Sequence, residues 1–124
     1  MKKNRPVNLD LTTISLPLPA LVSILHRLSG VILFLVIPLL LWVLQQSAFS
    51  EEGFLDLQDA LSSTLGKVLI WAVVSAVIYH LVAGIRHLLM DAGIGEEKRS
   101  GKVGAAITLG LSVIMIILVG VWLW

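Results

Sequence analysis

Charged residues punctuate this sequence and leave three long neutral runs: Leu28 to Ser50, Val68 to Ile85 and Val103 to Trp124. Each is close to the ~20 residues a helix needs to cross a ~30 Å hydrocarbon core. The expected fold is therefore an all-α integral membrane protein with three transmembrane helices, at about 19–46, 61–91 and 103–124. Residues 1–18 are expected to form a cytoplasmic N-terminal segment of the same single domain, 1–124.

Composition agrees with the runs. The chain is 57% hydrophobic and 14% charged, against about 25% charged in an ordinary soluble domain. Three spans and short connections use nearly all of the 124 residues, which leaves no room for a soluble catalytic domain. A net charge of +1 gives no sign of nucleic-acid binding, and the absence of cysteine excludes thiolate-held iron–sulfur clusters, disulfides and Cys-based zinc sites on this chain.

Prolines and glycines set the expected boundaries. Pro17 and Pro19 disfavour helix before them, and Pro19 suits a first-turn position. The opening turns of the first helix, with Ser23, His26 and Arg27, are then expected at headgroup level. Pro38 removes one backbone donor and predicts a modest kink. Gly93 and Gly95 are expected to end the second helix, from which Lys67 and Arg86 would snorkel to opposite interfaces. The acidic stretch Glu51 to Asp59 reads as a solvated outer connection, and Glu96 to Arg99 as a solvated turn. Lys2, Lys3 and Arg5 before an apolar run also fit a signal peptide, but Arg27 directly precedes that run and no Ala-x-Ala-like site follows, so no cleavage is expected.

Eight of the nine basic residues fall in the N-terminal segment through Arg27 or between Arg86 and Lys102. By the positive-inside bias the N-terminus is expected in the cytoplasm and the C-terminus outside. Trp42, Trp71, Trp122 and Trp124 are then expected near the outer interface, where indoles prefer to sit.

His80 lies six positions before Arg86, roughly 9 Å inside that boundary. Ionisable groups at such depth are costly and mark function by default. A neutral imidazole suits haem iron, and Ala76, Ala83 and Gly84 share its face, where a flat macrocycle or another helix could approach closely. An interhelical hydrogen bond from a packing histidine fits the same pattern. His26 adjoins Arg27 at the interface, and His87 is about 10.5 Å further along the helix of His80, so neither pairs well with His80 across one haem.

Ser23, His26, Arg27 and Gly30 fall at i, i+3, i+4 and i+7. This face could donate hydrogen bonds to a quinone carbonyl or to haem propionates; a basic anchor with a helix-entry serine is the plainer alternative. Arg86, His87 and Asp91 form a third polar group, with His87 and Asp91 on the His80 face.

Three segments now carry a resemblance: Arg5-Pro6-Val7-Asn8-Leu9-Asp10-Leu11, Ser23-Ile24-Leu25-His26-Arg27 through Gly30, and His80-x-x-x-Gly84-x-Arg86-His87 through Asp91. In order and spacing they resemble the cytochrome b membrane-anchor subunits of bacterial succinate dehydrogenase, respiratory complex II. The resemblance implies a haem b shared with a second membrane-anchor subunit, with His80 as one axial iron ligand. It implies that His26 and Arg27 lie near the haem propionates, and that Ser23 and Arg27 belong to a ubiquinone site. The flavoprotein subunit, carrying FAD, and the iron–sulfur subunit would be separate chains on the cytoplasmic side of the inner membrane. This chain would have no succinate oxidation activity alone, serving electron transport and the tricarboxylic acid cycle only within the complex. Two rivals remain, a haem-free anchor and a small transport subunit. His80 stands against the first, and the scarcity of polar residues in the third helix, only Thr108 and Ser112 before Trp122, against the second.

Overall fold

Pro17 caps the first helix in an extended conformation, and the chain turns helical directly after it. The computed structural model describes residues 9, 10 and 12–124. The basic residues Lys2, Lys3 and Arg5, with the Arg5 to Asn8 stretch and Leu11, lie outside the described residues. Among the described residues there are four helices and no strand: α1 Leu18–Phe49, α2 Glu51–Ser62, α3 Thr64–Asp91 and α4 Lys98–Leu123.

Helices α1, α3 and α4 are each long and apolar enough to cross a membrane. At ~1.5 Å per residue, α1 with its 32 residues is longer than a ~30 Å hydrocarbon core. Its ends must therefore reach the headgroup layer. Helix α1 runs through Pro38 without interruption.

Two boundaries differ from the sequence expectation. The acidic stretch expected as a solvated connection is the helix α2. Ser50 Oγ accepts from Gly53 N at 2.9 Å, Glu51 and Glu52 occupy the first turn where the helix dipole favours carboxylates, and half-buried Gly53, Leu57 and Leu61 recur every fourth residue. Helix α4 begins at Lys98 rather than Val103. Hydropathy marks only the lipid-facing part of a helix, and this one continues a turn beyond it through Lys98 to Lys102.

The ends of α3 follow local chemistry. Ser63 caps its start by accepting from Gly66 N at 3.0 Å, and a Cβ on Gly66 would collide with the Ala60 carbonyl oxygen. At its end Gly93 takes φ +85°, with Ile94 N donating to Leu89 O at 2.9 Å and Gly93 N to Met90 O at 3.0 Å. These are the paired bonds of a Schellman cap, which needs a left-handed residue and so favours glycine. Gly95 is also left-handed, at φ +76°.

The packing is that of a membrane bundle. Large apolar side chains mostly point outward, with Phe34 71% and Leu118 61% exposed, whereas the buried residues are, apart from Val22 and Ile78, small or polar: Ala83, Ala105, Ser29, Thr108 and Ser112. Lipid offers no hydrophobic drive between helices, so close approach of small residues and interhelical hydrogen bonds must hold them together. Gly101, Ala105, Thr108 and Ser112 form one buried face of α4. Thr108 Oγ1 donates back to Gly104 O at 2.9 Å. Thr108 and Ser112, the two hydroxyl side chains of the apolar part of this helix, are thus packed inside the bundle, with Thr108 already satisfied. Trp71 Nε1 on α3 donates to Ile116 O of α4 at 2.9 Å and its ring lies over Gly120, where a Cβ would sit 3.1 Å from Nε1. Tyr79 Oη donates to Val22 O of α1 at 2.8 Å. Both indoles of the pair Trp71 and Trp124 meet edge to face, with ring centroids 6.4 Å apart.

Candidate functional site

Where α1 meets α3, all three histidines of the chain converge. His26 stacks on His80 with ring centroids 4.2 Å apart and planes 12° from parallel. His87 follows on the other side, its centroid 6.1 Å from that of His26 at 20°. The three imidazoles form a column along the bundle, with His80 at its inner end and His87 beside Asp91, whose Oδ2 is 3.9 Å from His87 Nε2 on an exposed surface.

Two glycines make the column possible. A Cβ at Gly30 would lie 3.1 Å from His80 Cε1, and one at Gly84 would lie 3.3 Å from His26 Nε2. The small-residue stripe on the His80 face thus receives α1, with Ala83 buried at 3% exposure. His26 lies against Gly84, one turn nearer Arg86 than His80 is.

His80 is held from one side only. Its Nδ1 lies 3.0 Å from Ser29 Oγ and 3.2 Å from the His26 carbonyl oxygen, while Ser29 Oγ itself donates to that carbonyl at 2.8 Å. Nε2 of His80 has no hydrogen-bond partner among the described residues. An imidazole anchored through Nδ1 with Nε2 free is the usual arrangement of an iron-ligating histidine. The residues present therefore fit a haem ligand at His80. Among the described residues no group of three or more His, Asp or Glu side chains is placed to hold a bare metal ion.

The Ser23, His26, Arg27 constellation divides in the folded chain. Val22, His26 and Ser29 face α3, whereas Ser23 is half-buried and Arg27 is exposed, one step around the helix. The side chains of Ser23 and Arg27 make no hydrogen bond or ion pair among the described residues. Arg86 turns the other way, donating from an Nη to Gly101 O at 3.2 Å with its Nε packed over Gly104. Clefts of about 350 Å³ between α3 and α4 and about 390 Å³ beside α2 are lined by neither Ser23, Arg27 nor His80. Outside the bundle, Asp10 accepts from Thr12 Oγ1 at 2.7 Å and Thr12 N at 3.0 Å, which holds its carboxyl below the usual carboxylate range.

Sequence reasoning missed Ser29 and Tyr79. Ser29 falls three residues after His26, and that spacing was the available signal. For Tyr79 there was none, because its bond goes to a backbone carbonyl on another helix.

Three helices of membrane-spanning length, packed through small residues with an imidazole held between two of them, define a polytopic membrane protein. Residues 1–119 match the family described as succinate dehydrogenase/fumarate reductase transmembrane subunit, and the chain belongs to that family. It is 44% identical over 125 aligned positions to the succinate dehydrogenase cytochrome b556 subunit of Coxiella burnetii, covering all of both chains. The cytochrome b556 subunit of Paracoccus denitrificans is 34% identical, over 93% of this chain and 88% of that one. The cytochrome b560 subunit of Reclinomonas americana is 32% identical, over 90% and 81%.

Proposed function

We propose that this chain, as a cytochrome b membrane subunit of succinate dehydrogenase, supplies one axial ligand to a haem b and part of a ubiquinone-reduction site. The observation that carries the reading is the anchoring of His80 through Nδ1, with Nε2 left without a partner. The relatives named cytochrome b support it.

When bound, haem b supplies a one-electron redox centre in the membrane. His80 Nε2 would hold its iron. A second ligand would come from another membrane subunit, because His26 lies flat against His80 at 4.2 Å and leaves no plane between the two rings for a macrocycle. His26 and Arg27, toward the headgroup end, hold the propionates.

Ser23 and Arg27 bind the quinone oxygens. A hydroxyl donor and a guanidinium, one turn apart and without partners among the described residues, can both point to one ligand and stabilise negative charge as the quinone is reduced. Neither of the two clefts includes them, and a partner chain could supply further walls of the site. Protons would arrive from the cytoplasmic side, where the N-terminus lies. The flavoprotein and iron–sulfur subunits would dock there, and the clusters would sit on them, since a chain without cysteine holds none through thiolates.

The test is a reduced-minus-oxidised spectrum of the detergent-purified complex with its subunits identified, for the parent and for His80→Leu. The parent should show a low-spin b-type haem and four kinds of subunit. His80→Leu should lose or alter the low-spin signal. An unchanged spectrum in that variant would leave His80 as a packing histidine and the chain as a haem-free contributor to the anchor.

A further inference from the structure

Ser29 is buried at 6% exposure in the face of α1 that meets α3. Packing alone gives no reason for a hydroxyl there, since alanine is smaller, apolar and a better helix former. The serine oxygen instead closes a triangle of polar atoms: 2.8 Å to the His26 carbonyl, 3.0 Å to His80 Nδ1, and 3.2 Å between those two.

Counting protons decides how the triangle is filled. A hydroxyl brings one proton and a carbonyl none. Were Nδ1 a lone pair, it would face the carbonyl lone pairs, and the single serine proton could satisfy only one of its two neighbours. With a proton on Nδ1 every edge is attractive. Ser29 donates to the His26 carbonyl, and Nδ1–H donates to Ser29 Oγ, shared with the same carbonyl.

We infer that Ser29 is a positioning residue for His80: its hydroxyl selects the Nδ1–H tautomer, fixes the plane of the ring and leaves the Nε2 lone pair as the ligating atom. The inference rests on the haem ligation proposed above and extends it from which residue binds iron to what sets that ligand's donor strength. An acceptor at Nδ1–H makes the opposite nitrogen more basic. A more basic ligand favours ferric over ferrous iron, so the Ser29 contact lowers the haem's midpoint potential.

Ser29→Ala leaves only the longer contact to the His26 carbonyl, whereas Ser29→Thr keeps a hydroxyl that can make the same bond back along the helix. Both are read in the whole purified complex by potentiometric titration of the haem absorption bands and by low-temperature EPR. In Ser29→Ala the ratio of reduced to oxidised haem at a fixed ambient potential should rise about two- to tenfold, the span of one net hydrogen bond, with low-spin haem retained. Ser29→Thr should return to the parental value. Haem lost from Ser29→Ala but normal in Ser29→Thr would also support the role. A parental potential and parental EPR in Ser29→Ala would overturn it. So would equal shifts, or equal loss of haem, in both variants, because the cause would then be packing rather than the hydroxyl. Failure of haem ligation itself is read separately, as an unaltered low-spin spectrum in His80→Leu.

Discussion

His26 and His80 stack face to face across the α1 and α3 interface, with centroids 4.2 Å apart, and each ring rests against a glycine of the opposite helix. This contact fixes how close the two helices come at the level where the bundle holds its polar groups. A close fit around both rings makes the site sensitive to single methyl groups.

Gly30→Ala would place a Cβ 3.1 Å from His80 Cε1, and Gly84→Ala one 3.3 Å from His26 Nε2. Both substitutions favour helix by roughly 1 kcal/mol, so insertion and assembly should survive. Gly30→Ala should displace the His80 ring and shift the EPR signal of low-spin haem, while Gly84→Ala, acting on His26, should change it less. Equal, parental spectra in both would show that neither glycine constrains the rings.

Ser23→Ala and Arg27→Leu should lower quinone reduction by the assembled complex. The loss should be larger for Arg27, since a charge-assisted hydrogen bond is roughly twice as strong as a neutral one. Succinate oxidation with an artificial acceptor upstream of the quinone should persist in both. Parental quinone kinetics across quinone concentrations, with haem intact, would reduce the two residues to interface anchors.

Tyr79 and Trp71 join α3 to different neighbours through hydrogen bonds to Val22 O and Ile116 O. Tyr79→Phe and Trp71→Phe should each destabilise the bundle by about 0.5–1.5 kcal/mol, read as a lower midpoint in denaturing-detergent titration of the purified complex. The double variant should lose about the sum, because the two bonds share no partner. A double variant no weaker than either single one would mean that the two contacts act as a unit.

Reporter fusions active only in the periplasm should be active when joined at Gly53 or at the C-terminus, and silent at Gly95. The expectation follows from the concentration of basic residues before Leu28 and between Arg86 and Lys102. The opposite pattern would invert the topology and move the proposed quinone and haem residues to the other face.

The sequence by itself determined what depends on transfer of single segments into lipid and on local backbone chemistry. Three uncharged runs defined three spanning helices, and Gly93 and Gly95 marked the end of α3 because a left-handed cap needs glycine. Spacing along one helix also placed His80 with Ala83 and Gly84. Two limits of that reading were physical. Hydropathy averages over a window, so it passed over α2, whose apolar residues are interspersed with Glu51, Glu52, Asp56 and Asp59, and it stopped short of the charged first turn of α4. The contacts between helices were beyond it altogether: which face of α1 turns to α3, the division of His26 from Arg27, and the Ser29 triangle at His80. Those depend on rotation and depth of one helix against another. Among uniformly apolar surfaces, only the close packing of glycine, alanine and serine decides them.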